Sequence, residues 1–198
     1  MPTIRSRMLP KDFKASFLSC EKDTETILRK LFIESRPYSD MLKRLLIINK
    51  PDCLGDNPEY QKIIDNFNLK KLKEEQYIST VPRFQFGNHE YIKSSILLEF
   101  DDFIPTSNAQ YRDCTINFTI LCHLDEWELD DYKLRPHQIA GYIDGILNES
   151  RLSGIGTLQF MGASQVVLDE NWGGMILRYI ATHGSDDEEK FEDIYTPQ

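Results

Sequence analysis

The sequence predicts an α+β fold built on a four-stranded antiparallel or mixed sheet in the order β-β-α-β-β. One helix covers the sheet, with extra helices before it and extended termini. Three observations predict this. Residues 112–123 (RDCTINFTILCH) alternate strictly, with Cys114, Ile116, Phe118, Ile120 and Cys122 on one side and Asp113, Thr115, Asn117 and Thr119 on the other. That period of two is what a strand with one buried and one wet face requires. Residues 136–149 carry Ile139, Tyr142, Ile143, Ile146 and Leu147 at helical spacing behind Pro136, which suits a first turn. Two further apolar runs, 157–168 and 175–183, flank a Gly-containing turn and read as a closing hairpin.

The remaining elements follow in order. Residues 1–22 read as an irregular arm with room for one short helix. Asp23-Thr24-Glu25-Thr26 is an expected helix start, with Asp23 or Thr24 as cap and Ile27, Leu28, Leu31 and Phe32 as the apolar stripe. Ser35-Arg36-Pro37 breaks that helix and opens a second, striped by Tyr38, Met41, Leu42, Leu45 and Leu46. After a turn-rich loop, 52–58, a third helix is expected over 59–74, with Asn66 and Asn68 as interruptions. Residues 77–89 are extended but contain Pro82, which fits an edge strand or an arm. A strand over 91–100 and a loop over 101–110 precede the alternating strand. Gly154 and Gly156 end the connection after the helix, and Gly162 marks a kink or bulge in 157–168. The expected organisation is an N-terminal arm with helices over 1–75, an α+β core over 76–183 and an acidic tail over 184–198.

Charge narrows the function classes. The chain of 198 residues has a net charge of −9, which argues against gripping a phosphate backbone as its main task. The charge is uneven. Asp186, Asp187, Glu188, Glu189, Glu192 and Asp193 crowd the end against Lys190, whereas Arg5, Arg7, Lys11 and Lys14 face only Asp12 in the first fourteen residues. Such termini are either solvated tails or arms that dock on neighbouring subunits, with Arg5, Arg7, Asp186, Asp187, Glu188 and Glu189 as contact candidates. No run of about 18 apolar residues is present for a membrane span, and the N-terminus has no apolar core of a secretory signal. Cys20, Cys53, Cys114 and Cys122 form no CxxC pair and read as reduced thiols.

Catalytic patterns are weak. His89, His123, His137 and His183 contain no i, i+4 pair and no HExxH. Cys122 and His123 are adjacent on a strand and point to opposite faces, a poor start for shared metal ligation. Glu99, Asp101, Asp102 and Asp113 gather near strand ends, as a divalent-metal hydrolase or nuclease would need, but acids at such places are more often solvated or capping groups. No GxSxG occurs, and Gly154-Ile155-Gly156 follows a helix, the wrong side for a phosphate loop. No cofactor or metal is expected. The mixed segment 124–135 (LDEWELDDYKLR) places Trp127, Leu129, Tyr132 and Arg135 among acids. Apolar residues in such a loop either fold back on the body or mark an interface, and aromatic anchors dominate interfaces.

The strand pair ending at Cys122, the helix HQIAGYIDGILNES, the turn Gly154-Ile155-Gly156 and the hairpin around Trp172-Gly173-Gly174 resemble the tail-terminator and head-tail connector neck proteins of tailed bacteriophages. The likeness runs from about Tyr91 to His183. It implies a non-enzymatic virion subunit that associates with itself in a ring, commonly sixfold, between a connector or adaptor and the tail-tube proteins. It also implies that DNA passes through without specific binding and that no membrane is involved. An acidic lumen suits that passage, because it repels phosphates. The N-terminal 75 or so residues exceed that family's compact core, so a connector or adaptor role stands beside the terminator role. The alternatives are a small cytosolic protein-binding adaptor and the metal-dependent hydrolase or nuclease.

Overall fold

The computed structural model describes residues 20–81, 94–107, 111–152 and 154–184. Helix α1 (Cys20–Arg29) buries Ile27 and Leu28 and continues as one wider π turn, Lys30–Glu34, that buries Leu31 and Phe32. Asp23 and Thr24 are not its caps. The helix begins three residues earlier, Asp23 is buried within it, and the Thr24 hydroxyl donates to the Cys20 carbonyl at 2.7 Å. Pro37 then precedes α2 (Tyr38–Ile47), as its fixed φ favours. The single helix expected over 59–74 is two, α3 (Pro58–Asp65) and α4 (Leu69–Glu74). Asn57 and Asn68 cap them, accepting the backbone N–H groups of Glu59 and Lys71, both at 2.9 Å. A cap side chain satisfies amide donors left over at a helix start, so a second Asn cap makes a second helix.

The main sheet has five strands in the order β1-β2-β3-β7-β6. It comprises β1 (Ile78–Ser79), β2 (Ser94–Pro105), β3 (Tyr111–His123), β6 (Gln159–Val167) and β7 (Trp172–Gly184). β1 runs parallel to β2 and the other pairs are antiparallel, so the sheet is mixed. The four expected strands are present, and the two-residue β1 adds a fifth. β2 continues through Asp101–Pro105, which sequence reasoning placed in a loop, because a bulge between Asp101 and Ile104 absorbs the irregular residues and keeps the strand paired. Residues 91–93 of the expected strand and Pro82 lie outside the described residues. A small second sheet pairs β4 (Arg151–Leu152) with β5 (Gly156–Thr157). The register of β6 shifts between Phe160 and Gly162, where a bulge was expected.

Helix α5 (Arg135–Leu147) lies against the sheet with Ile139, Ala140, Ile143, Ile146 and Leu147 buried. The alternating face of β3 is buried as its pattern demands, with Cys114, Ile116, Phe118, Ile120 and Cys122 all at 1% exposure or less. Phe118, Tyr179 and Phe160 stack edge-on across β3, β7 and β6, with centroids 5.8 and 5.6 Å apart. The Tyr179 hydroxyl donates to Asp144 on α5 at 2.9 Å, which ties helix to sheet. One continuous cluster includes Leu31, Leu45 and Ile64 from the early helices and Ile116 and Leu177 from the sheet. β7 starts three residues earlier than expected because Trp172-Gly173-Gly174 pairs with Leu121–His123 of β3. A Cβ on Gly174 would overlap the Ile120 carbonyl, so only glycine lets these two strands approach.

Candidate assembly surface

The segment 124–135 forms two short 3-10 turns, Leu124–Glu126 and Asp130–Tyr132, joined by a single bridge between Glu128 and Leu134. Its shape comes from Arg135. The guanidinium is fully buried and donates to four carbonyls: Nε to Glu126 at 2.7 Å, Nη1 to Leu45 at 2.7 Å and Ile48 at 3.0 Å, and Nη2 to Lys50 at 2.9 Å. The Glu126 carboxylate lies 3.7 Å away and supplies a counter-charge. Leu45 and Ile48 carry carbonyls that end α2, where a helix leaves acceptors unpaired and its dipole favours a cation. The planar fork of arginine meets four acceptors here, one more than the three donors of a lysine could. The Asp130 amide adds a bond to the Pro51 carbonyl at 3.1 Å.

Arg135 therefore does not serve as a subunit-interface side chain, because it is enclosed within its own subunit. Leu129 is also buried, at 6% exposure, and packs with the core. Trp127 is half-buried, with its ring against Gly173, where an added Cβ would stand 3.3 Å from the ring. Tyr132 alone of the four is fully exposed, at 103%. Asp131 and Tyr132 both hold a φ of 59°, a region that side chains rarely adopt. Such backbone persists when its surroundings hold it, and here the Leu129 amide donates to the Lys133 carbonyl at 2.8 Å and the Lys133 amide to the Asp130 carbonyl at 3.4 Å, closing the turn on both sides. The result is a rigid base presenting one aromatic side chain to solvent. Arg5, Arg7, Asp186, Asp187, Glu188 and Glu189 lie outside the described residues.

A second exposed margin was not foreseen. β6 is an outer strand with solvent on both faces, and Phe160, Met161 and Val167 are exposed at 40, 63 and 71%. Its sequence, QFMGASQVV, places apolar residues on both faces, which reads equally as a buried strand, so the pattern gives no hint that both faces are open. Near its end, Val167 joins Leu124, Asp125, Trp127, Glu128, Gln165 and Gly173 around a groove of about 480 Å³.

The weak catalytic candidates take these positions. Glu99, Asp101 and Asp113 share the sheet face opposite the core pattern, and Asp113 accepts a hydrogen bond from Thr182 at 2.9 Å. Asp102 is displaced by the bulge, with a φ of 51°. Among the described residues no group of three or more His, Cys, Asp or Glu is placed to hold a metal ion. His123 accepts the Asp125 amide through Nδ1 at 3.2 Å, while Cys122 is buried on the other side of the strand. Burial pushes the thiols of Cys114 and Cys122 up to about 12, which keeps them protonated and unreactive near neutrality. All four cysteines are free. No described helix is long and apolar enough to cross a membrane.

This geometry defines a class: an α+β domain with a mixed five-stranded sheet, one face packed by helices and, among the described residues, one long strand edge unpaired. The family model YomW matches residues 39–181, from α2 to near the end of β7, and the chain belongs to the YomW family. A chain from a solved structure described as the virion of native gene transfer agent (GTA) particle is 15% identical and has a TM-score of 0.39. That match covers 64% of this chain and 91% of the other, a likeness too slight to place a fold or a function. No curated protein matches the chain.

Proposed function

We propose that the protein is a non-enzymatic structural subunit of a phage-like virion, which assembles with itself into a ring at the head-tail junction. The carrying observation is the Arg135-locked base. It pins the ends of a segment whose only fully exposed large side chain is Tyr132, so the backbone beneath that aromatic loses little conformational entropy on binding. The acidic balance of −9 supports a ring that lets DNA pass without holding it. A ring joins unlike patches of successive subunits, and the Tyr132 base and the β6 margin are two unlike exposed surfaces. The three-part organisation proposed for the chain gives the assembly work to the core domain and the two charged termini. Connector or adaptor proteins on one side and tail-tube proteins on the other are the proposed neighbours.

Light scattering across a concentration series, with electron micrographs of the same samples, tests this reading. A closed multimer, formed alone or on added tail tubes, supports it. A species that stays monomeric at all concentrations and leaves tail tubes bare contradicts it.

A further inference from the structure

We infer that the open edge of β6 and the groove beside Trp127 receive residues 3–9 of a neighbouring copy as an added strand; this rests on the assembly reading above. Among the described residues β6 pairs only with β7. Its sequence, QFMGASQVV, holds no charged residue and no proline. Soluble proteins guard long strand edges with lysine, proline, short length, bulges or cover; β6 has neither lysine nor proline, and its one bulge, between Phe160 and Gly162, sits near its start. Its first residues are closed off, since Asn148 accepts the Phe160 amide at 3.2 Å and Ser150 accepts the Leu158 amide at 3.1 Å. Among the described residues, nothing pairs with the outer edge from Gly162 to Val167. The opposite margin of the sheet is treated differently: β1 covers Ile96 and Leu97, and beyond it β2 bulges beside Asp101 and Asp102.

The groove supplies selectivity. Its apolar wall is the Trp127 ring with Leu124 and Val167, and Asp125 and Glu128 bring two carboxylates to it. Val167 pairs with Gly173, against which Trp127 lies, so the groove is on the same sheet face as the Val167 side chain. A strand added beside β6 would send alternate side chains to that face. An arginine fits there well, because its stem packs on apolar surface, its plane stacks on tryptophan and its fork bonds carboxylates.

The chain itself carries a segment with the sequence pattern of such a strand. Thr3-Ile4-Arg5-Ser6-Arg7-Met8-Leu9 alternates, with Arg5 and Arg7 on one side and Ile4, Ser6 and Met8 on the other. With the arginines turned to the groove face, Ile4 and Met8 face the side of β6 that carries Ser164 and Val166, next to half-buried Ile176 of β7. Residues 10–19 separate this strand from α1, and eleven peptide steps span at most ~35 Å, enough to reach an adjacent copy. A ring subunit needs two different surfaces that fit each other, and arm and edge form such a pair.

The test mixes two variants of the full chain. One, R5E/R7E, spoils the arm and keeps the edge. The other, E128K/V167K, spoils the edge and keeps the arm. Each alone should fail to form the wild-type multimer while retaining the wild-type circular dichroism. Mixed in equal amounts, they should form a two-chain complex, because the intact arm of one fits the intact edge of the other. A mixture that stays monomeric overturns the inference, since an arm folding onto its own subunit gives that result. Either variant assembling like wild type also overturns it, while the ring reading stands. If the wild type forms no multimer either alone or on added tail tubes, the assembly reading fails. A peptide of residues 1–12 titrated into the R5E/R7E chain, read by tryptophan fluorescence, then decides the site alone. Binding weakened about tenfold or more by E128K/V167K supports it, and no binding overturns it.

Discussion

β3 and β6 lie in the same sheet, each hydrogen-bonded to β7, yet they solve opposite problems. β3 pairs with β7 along all thirteen of its residues and with β2 from Arg112 to Cys122, and it buries Ile116, Phe118 and Ile120 completely. β6 is paired on one side over nine residues and leaves Met161 and Val167 more than half exposed. A side chain in β3 is held by its surroundings, so changing it costs stability. A side chain in β6 is held by little, so changing it alters what the molecule can meet. The platform of 124–135 joins the two situations in one segment: Arg135 belongs to the interior and Tyr132 to the outside.

The comparison can be broken most forcefully at Arg135. Replacement by methionine strips donors from the Leu45, Ile48, Lys50 and Glu126 carbonyls and leaves Glu126 without its cation. The expected loss is about 3–5 kcal/mol in chemical denaturation, the range for breaking a buried charge with several hydrogen bonds. A change under about 1 kcal/mol would show that the platform is not locked this way. Next comes Gly174→Ala, whose methyl meets the Ile120 carbonyl and comes within 3.1 Å of the Leu121 Cα. Those are backbone atoms that cannot rotate aside, so a loss of about 1–3 kcal/mol or more is expected from the melting curve.

Alkaline pH offers a gentler probe of the interior. The thiols of Cys114 and Cys122 ionise near 9 when unfolded but are pushed up to about 12 by burial when folded. The unfolded chain therefore releases protons first as pH rises. The stability these groups contribute is complete below pH 9 and is lost between pH 9 and pH 12. Each thiol should add at most about 1.4 kcal/mol per pH unit to the slope of stability in that window. The Cys114→Ala, Cys122→Ala double variant should show a flatter slope there than wild type, and an unchanged slope would contradict the assignment. Burial and the bond to Asp144 also raise the Tyr179 phenol, so some alkaline loss remains in that variant.

The smallest stability effects belong outside. Tyr132→Ala and Val167→Lys remove side chains that touch little, and each should change folding free energy by about 0.5 kcal/mol or less. If either lowers the melting temperature as much as Gly174→Ala does, the division between interior and margin fails.

What could be read in the sequence follows the same division. β3 and α5 were legible because a single buried face imposes a period of two or of 3.6 on the residues. The bulge near Gly162 was legible because glycine breaks a strand pattern. The capping role of Asn68 was hidden, although the interruption it causes was not. Arg135 was misread as an interface anchor because its partners, Leu45 and Ile48, lie 90 and 87 residues away in the chain. Nothing local distinguishes an arginine that reaches distant carbonyls from one that meets solvent. The extension of β2 through Asp101–Pro105 was hidden for a related reason: pairing with Asp113 and Arg112 of β3, not local preference, keeps that acidic stretch extended. The open edge of β6 could not be read at all, since strand order depends on the whole topology.

The central claim is that this chain acts by being built into a particle. Its most direct test is deletion of the reading frame from the element that encodes it, followed by electron microscopy and infectivity of the particles produced. The account predicts filled heads and tails that fail to join, with joining restored when purified wild-type chain is added. Joined particles of normal infectivity without the chain would contradict it.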